Sequence, residues 1–180
     1  MSGHGHVDPS NKKIALVIAV LALFLAISET LSKAYQTEVI TKQVEASNLW
    51  SFFQAKSIRK TTTDVALQSA QISPNAADPK VVEQMQKWAA ASQRYDTEPD
   101  TGEGRKELAE RAKKAQALGE LANHKYHNLE ISSGVLQVAI VLASSAIITN
   151  VMMLAWLAGG LGIVTVGFGI FAMFGGATLF

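Results

Sequence analysis

The amino-acid sequence predicts an all-α protein with three transmembrane helices and a long antiparallel helical hairpin, a coiled-coil-like stalk, between the first and the second. Three observations support this fold class. Residues 11–73 contain neither glycine nor proline, so nothing in them interrupts a helix. Residues 14–27 are entirely apolar. All 16 Lys and Arg and all 15 Asp and Glu precede residue 131, so residues 131–180 carry no charged side chain.

The first transmembrane helix is predicted at residues 14–31, after a polar tail of residues 1–13. Its apolar run would cover about 21 Å as a helix, which is short for a bilayer core of about 30 Å. Snorkelling lysines before the run and polar residues after it can supply the missing turns. A cleaved signal peptide is the alternative, because small Ala26 and Ser28 follow the apolar run. We expect the helix to be retained as an anchor.

The apolar C-terminal region is too long for one crossing. As a helix, residues 131–180 would extend about 75 Å, more than twice the thickness of a bilayer core. The predicted turn is Thr149–Asn150, and Gly159–Gly160 is the alternative break. The sequence therefore predicts transmembrane helices at residues 131–148 and 152–174.

The charged middle of the chain, residues 32–130, is predicted to form the extramembrane hairpin. Asp78 before Pro79 predicts a helix N-cap followed by proline at the first helical position. Asp100 with Glu103 predicts a capping box at the next helix. Three helices are thus expected in this region, at residues 32–72, 79–97 and 103–130.

The lengths of these helices favour a hairpin, because the two returning helices together match the outgoing one. The alternative is a compact bundle in which the first helix breaks near Thr61–Thr63, where three β-branched residues weaken a helix. The helix predicted at residues 79–97 carries a stripe of larger side chains on one face, which we expect to pack. That stripe consists of Val81, Met85, Trp88 and Tyr95, with small Ser92 between the last two.

One face of residues 103–148 follows a seven-residue pattern without a change of phase. Its positions alternate steps of four and three residues, as in a left-handed coiled coil. They are Leu108, Ala112, Ala115, Gly119, Ala122, Tyr126, Leu129, Ser133, Leu136, Ile140, Ala143 and Ile147. The pattern predicts one continuous helix that leaves water and enters the membrane.

Small residues recur on one face of the first and of the last transmembrane helix, where they indicate close helix packing in lipid. On the first helix they are Ala15, Ala19, Ala22 and Ala26, and on the last they are Ala155, Gly159, Gly162 and Gly169, with Gly176 continuing the stripe.

A run of aromatic and basic residues in the first long helix is the most distinctive local feature of the sequence. Trp50, Lys56, Arg59 and Lys60 are candidates for contact with a lipid headgroup or another anion. The alternative is that the aromatics pack in a core and the basic residues form its solvated rim.

Residues 48–59 read Asn-Leu-Trp-Ser-Phe-Phe-Gln-Ala-Lys-Ser-Ile-Arg. With this run, the N-terminal anchor and the paired C-terminal spans, the chain resembles an uncharacterised bacterial membrane protein family, domain of unknown function 4337. The resemblance extends over nearly the whole chain and implies a membrane topology but no chemistry.

Two histidines are candidates for a metal site. His124 and His127 lie three residues apart, with Glu120 and Glu130 on neighbouring turns, and such spacing can form metal sites in helical bundles or in a symmetric oligomer. The alternative is that both histidines lie near lipid headgroups. If Met1 is removed, Ser2-Gly3-His4 would be an amino-terminal chelator of copper or nickel.

The composition disfavours several functions. There is no cysteine, so disulfides and thiolate sites are absent, and a net charge of +1 gives no electrostatic basis for binding nucleic acid. No nucleotide-binding or hydrolase motif occurs. Apart from Glu29, the predicted spans hold no ionisable side chain, which disfavours ion-coupled transport.

We therefore expect a non-enzymatic membrane protein without a cofactor, a self-associating scaffold or accessory subunit. Its expected partners are other copies of itself, membrane lipids and another membrane protein complex. An oligomeric channel is the alternative, lined by weakly polar Gln137, Ser144, Ser145 and Thr165. The expected location is the bacterial inner membrane. Two lysines before the first span favour a cytoplasmic N-terminus, although Lys113, Lys114 and Lys125 oppose it.

Overall fold

The computed structural model describes residues 9–174, and all regular secondary structure in that range is α-helical. Three of the helices are long and apolar enough to cross a membrane. The all-α prediction and the expected number of membrane-length helices are therefore confirmed. The helices of this range are α1 (Pro9–Gln71), α2 (Pro79–Asp96), α3 (Arg105–Thr149) and α4 (Met152–Phe174).

Helix α1 is continuous through Thr61–Thr63, where the sequence offers an alternative break. The Thr62 hydroxyl donates a hydrogen bond of 2.9 Å to the Ile58 carbonyl, and the Thr63 hydroxyl donates one of 2.8 Å to the Arg59 carbonyl. The hydroxyls thus bond to the preceding turn of the helix and do not interrupt it. The alternative of a broken first helix is wrong.

Helix α2 begins as its sequence predicts. The Asp78 side chain accepts a hydrogen bond of 2.8 Å from the Lys80 amide, and Pro79 occupies the first helical position. This satisfies one of the amides that a helix start leaves without a partner. The inward face of α2 consists of Val81, Met85, Trp88, Ser92 and Tyr95, all buried or half-buried.

Helix α3 begins two residues later than predicted, and the capping box at Asp100 and Glu103 is wrong. Gly102 has a positive φ of 66°, and α3 starts only at Arg105. Glu103 therefore lies before the helix and cannot occupy its third position. Its amide donates to the Thr101 hydroxyl at 3.3 Å.

Helix α3 is one helix, as the seven-residue pattern predicts. Every position of the pattern from Leu108 to Ile147 is buried or half-buried. Gly119 marks a close approach to α1, because a Cβ at this position would lie 3.3 Å from the Lys42 Cβ. The pattern thus identifies the packed face of the helix.

The turn between α3 and α4 lies where the sequence places it. Asn150 has a positive φ of 53°, a conformation that asparagine tolerates better than most residues. The Thr149 hydroxyl accepts a hydrogen bond of 3.4 Å from the Val151 amide. Gly159–Gly160 lies within α4, so the alternative break there is wrong.

The described chain divides into two compact units. We name residues 9–39 and 120–174 the apolar unit, and residues 40–119 the charged unit. The charged unit has a core of Ala46, Leu49, Leu108, Ala112 and Ala115. The apolar unit has two clusters of buried residues, Ile14, Ala143, Ala146 and Ala158 in one and Leu21, Leu136 and Ala139 in the other.

Candidate functional site

The aromatic residues of the distinctive run belong to the core of the charged unit. Trp50 and Phe53 are half-buried and pack edge to face, with ring centroids 5.3 Å apart. The Arg105 guanidinium lies 5.9 Å from the centre of the Phe53 ring. The sequence predicts that Trp50 contacts a lipid headgroup or another anion, and the structure packs its ring against Phe53 and the core of the charged unit.

Lys56 is held by carboxylates of the connection between α2 and α3. Its Nζ lies 3.6 Å from Glu98 Oε2 and 3.9 Å from Glu103 Oε2. It also lies 5.8 Å from the centre of the Tyr95 ring. Only 17% of the Lys56 side chain is exposed, so its charge is directed into the chain and is already compensated.

Lys60, Asp64 and Ser92 form a hydrogen-bonded triangle between α1 and α2. Lys60 Nζ lies 2.7 Å from Asp64 Oδ2 and donates to Ser92 Oγ at 3.1 Å, while the Ser92 hydroxyl donates to Asp64 Oδ1. The hydrogen bond from Lys60 is the largest cause that lowers the pKa of Asp64, and that from Ser92 is the next. Lys60 is therefore also compensated within the chain.

Arg59 is the member of the predicted anion-contact set that stays exposed. Within residues 9–174 no carboxylate lies within 4 Å of its guanidinium. Of the four residues proposed from the sequence, three are thus engaged inside the charged unit and one faces outward.

Two carboxylates that no sequence motif indicates form ion pairs and hydrogen bonds around the connection between α2 and α3. Asp96 pairs with Arg105 at 2.7 Å and with Lys106 at 2.9 Å, and the bond from Lys106 is the largest cause that lowers the pKa of Asp96. The Glu107 carboxylate accepts from the Thr97 hydroxyl at 2.6 Å, which lowers the pKa of Glu107. No local spacing predicts these pairs, because each joins residues on two sides of a turn.

Gly104 makes this compact connection possible. A Cβ at Gly104 would lie 2.7 Å from the Thr97 Cα and would overlap the backbone nitrogen of Glu98. Since both are backbone atoms, no side-chain rotation can relieve the overlap. Glycine at this position therefore lets the start of α3 touch the end of α2.

The two candidate metal ligands do not converge. His124 and His127 are both exposed, and His127 Nδ1 lies 3.7 Å from Glu130 Oε2. Glu130 also accepts a hydrogen bond of 3.1 Å from the Tyr126 hydroxyl, which raises the pKa of Tyr126. Among residues 9–174, no group of three or more His, Cys, Asp and Glu is placed to hold a metal ion. The predicted chelator Ser2-Gly3-His4 lies outside the described residues.

The predicted alanine stripe of α1 does not pack against the rest of the chain. Its four members are exposed, whereas Ile14 and Leu21 are 7% and 5% exposed and belong to the two clusters of the apolar unit. We call the exposed stripe the alanine face. It consists of Ala15, Ala19, Ala22 and Ala26.

The small-residue stripe of α4 is used within the chain. Gly162 is buried against Leu21, and Gly169 lies near Ser132, whose hydroxyl oxygen is 3.9 Å from the position of an added Cβ. Ala155 is half-buried in the cluster around Ile14. Gly159 instead borders an apolar groove of about 410 Å³ between α1 and α4. Gly176 lies outside the described residues.

A hydrogen bond between side chains joins α1 and α3 inside the apolar unit. The Gln137 side-chain amide donates a hydrogen bond of 3.3 Å to Glu29 Oε1. The buried Thr165 hydroxyl donates to the Leu161 carbonyl at 2.7 Å, so it satisfies itself on its own helix. Ser144 and Ser145 do the same, donating to carbonyls one turn earlier.

These features define a class of protein: an all-helical chain with three membrane-length helices and a separate charged unit in which several ionic groups pair with one another. The family model named Domain of unknown function (DUF4337) matches residues 10–175, and the chain belongs to that family. Comparison with curated proteins finds no match, and comparison with solved structures finds none either.

Proposed function

We propose that this protein is a non-enzymatic integral membrane protein that associates with itself and serves as a scaffold or accessory subunit of a membrane assembly. The observation that carries this proposal is the exposed alanine face of α1. Small residues let two helices approach closely in lipid, where packing and not the hydrophobic effect drives association. In α4, Ala155, Gly162 and Gly169 are used inside the chain, but in α1 the small residues are left free for a second copy.

The surface of the apolar unit supports its placement in a bilayer. Large aliphatic and aromatic side chains are exposed on each of its three helices, and water would not favour a surface of this kind. Lipid chains would cover it without cost. The two most exposed on each helix are Leu16 at 66% and Leu23 at 61%, Val141 at 63% and Ile148 at 84%, and Trp156 at 78% and Ile163 at 77%.

Contacts within the charged unit support an antiparallel hairpin. Lys42 of α1 lies beside Gly119, Lys56 beside Glu98, and Lys60 beside Ser92. As the position on α1 advances, its partner moves back along the chain, which is the order that an antiparallel arrangement requires.

The charged unit is proposed to be structural. Lys56 pairs with Glu98 and Glu103 of the connection between α2 and α3, and Lys60 and Asp64 of α1 bond to Ser92 of α2, so these contacts support a role in holding the helices together. We also propose that the N-terminus lies in the cytoplasm and that the membrane is a bacterial inner membrane. Lys12 and Lys13 are exposed at the start of the apolar run, and under the positive-inside rule they support this orientation.

The test of self-association is native mass spectrometry of the full chain in detergent or lipid nanodiscs. Ala22→Leu combined with Ala26→Leu should shift the chain toward smaller oligomers without preventing insertion, because bulk on the alanine face separates the copies. Val20→Leu adds bulk to an exposed position off that face and serves as the control. An unchanged stoichiometry in the double variant would contradict the role of the alanine face.

A channel is the second candidate, and one observation favours it. Gln137 is exposed on the apolar unit although its amide is polar, and it reaches the Glu29 carboxylate. In an oligomer these two groups could line a narrow pore. Conductance measurements in planar bilayers separate the candidates, since a scaffold carries no current and a Gln137→Leu variant should abolish any current that is seen.

A further inference from the structure

A second stripe runs along α1 on the side opposite the core of the charged unit. Its positions alternate steps of four and three residues, as in a coiled-coil seam, and all of them are exposed. Its large members have 54% to 68% of their surface exposed. We call this stripe the outer seam, and it consists of Ile40, Val44, Ser47, Ser51, Gln54, Ile58, Thr61, Val65 and Gln68.

The inner face of the same helix shows that a heptad stripe on α1 is a packing surface. Ala46 and Leu49 are 4% and 6% exposed and lie in the core of the charged unit. The outer seam has the same periodicity on the opposite side of the helix, but no residue of the described chain covers it. An amphipathic helix in water normally carries charges on its outward side.

The outer seam contains no charged residue. The charged side chains of α1 within this stretch are Lys42, Glu45, Lys56, Arg59, Lys60 and Asp64, and all lie off the seam. A charged partner would therefore find no opposite charge there. A second copy of the same chain brings no like charge to the seam and presents an equally uncharged surface.

The residue types and the anchor indicate a parallel pair. Val44, Ile58 and Val65 share one heptad position with Ser51, and β-branched residues are typical of the a position of parallel two-stranded coiled coils. The other position holds no Leu, and its residues are Ile40, Ser47, Gln54, Thr61 and Gln68. If the apolar start of α1 is held in a membrane, two copies enter it in the same direction and to the same depth. The helices would then meet in register.

The size of the seam agrees with pairing on a membrane. Its 29 residues span about 42 Å of helix about 10 Å wide, so two copies would bury roughly 800 Å² in total. This is below the roughly 1,200 Å² of a stable complex in solution. Confinement of both copies to one bilayer raises their effective concentration and makes a seam of this size sufficient.

From these observations we infer that the outer seam is a homotypic interface through which two copies of the chain pair as a parallel, in-register coiled coil. The inference rests on the proposed self-association and names a surface for it in the charged unit.

The absence of cysteine from the sequence allows a direct test by single cysteine substitutions. We would reconstitute full-length Val44→Cys and Ile58→Cys into liposomes, oxidise them and score disulfide-linked dimers on non-reducing gels. Each has a matched control at the next residue, Glu45→Cys and Arg59→Cys, which is off the seam. The seam variants should cross-link and the controls should stay at background, because only seam residues bring their Cα atoms within about 7 Å of each other.

The outcomes separate this inference from the proposed function. A cross-link at Ile58→Cys without one at Val44→Cys would overturn the parallel register, since an antiparallel pair can align only one of these positions with itself. If native mass spectrometry shows an oligomer but neither position cross-links, the outer seam is overturned and self-association is not. A monomer by both methods would overturn the seam and self-association together.

A charge variant provides the complementary measurement. Ile58→Lys introduced into the Val44→Cys chain should abolish the cross-link at Val44→Cys, because the paired lysines repel. Ile58 is 68% exposed, so helicity measured by circular dichroism should not change. An undiminished cross-link in a folded Ile58→Lys chain would overturn the inference.

Discussion

Gly162 of α4 lies directly against Leu21 of α1. A Cβ at Gly162 would be 3.7 Å from the Leu21 Cγ and would overlap its Cδ2. The glycine therefore sets the distance between these two helices of the apolar unit. The sequence predicts a packing role for Gly162, and the structure gives it a partner within the same chain.

The first prediction concerns this contact. Gly162→Leu should lower the stability of the folded chain by about 1–3 kcal/mol, the usual cost of overpacking, because the new side chain overlaps Leu21. Thermal unfolding in detergent measures the change. Gly160→Leu is the matched control, since a Cβ at Gly160 meets nothing within 4 Å. Equal melting temperatures for the two variants would mean that the close contact does not stabilise the fold.

The second prediction concerns the connection between α2 and α3. Gly104→Ala should destabilise the charged unit by about 1–3 kcal/mol, because its Cβ meets backbone atoms of Thr97 and Glu98 that cannot rotate away. Gly134→Ala, within α3 and free of neighbours, should instead stabilise the helix by up to about 1 kcal/mol. Chemical denaturation followed by circular dichroism compares them, and the opposite order of stability would contradict the structure.

The third prediction concerns the triangle of Lys60, Asp64 and Ser92. Ser92→Ala should cost about 1 kcal/mol, since it removes a buried hydroxyl that both accepts from Lys60 and donates to Asp64. Ser69→Ala, an exposed position on the same pair of helices, should be close to neutral. The hydrogen-exchange rates of the α2 amides should rise in Ser92→Ala and should not change in Ser69→Ala. Indistinguishable exchange would show that the triangle does not hold α2.

The fourth prediction is a loss of stability in acid. Asp64 and Asp96 have lowered pKa values, from an ordinary value of 3.8, because Lys60 and Lys106 respectively donate to them. The unfolded chain then binds more protons than the folded chain near this pH. The stability that these two carboxylates give to the folded chain is fully present at pH values above 3.8. It is lost as the pH falls through their lowered pKa values.

Melting temperatures recorded as a function of pH test this directly. They should be flat from neutral pH to about 5 and should fall below about 4. Asp96→Asn should lower the melting temperature at neutral pH and flatten part of the acid decline. A variant that keeps the full decline would remove Asp96 from its cause.

Local signals in the sequence determined the helices of this protein. Asp78 and Pro79 place the start of α2, Asn150 allows the left-handed turn before α4, and the seven-residue pattern from Leu108 to Ile147 marks the packed face of α3. Each of these features depends on residues within a few turns of one another. For that reason they can be recognised without knowing what packs against them.

The partners of each face were decided only by the tertiary structure. The stripe of α1 that includes Ala22 looks as suitable for packing as that of α4, yet Leu21 faces the core and Ala22 does not. In the sequence Lys56 resembles an anion contact. In the structure Glu98, from the connection between α2 and α3, lies beside it and compensates its charge. A periodic face shows that a helix can be approached closely, but it carries no information about whether the approaching surface belongs to the same chain. That choice depends on the summed packing and electrostatic free energy of residues far apart in sequence.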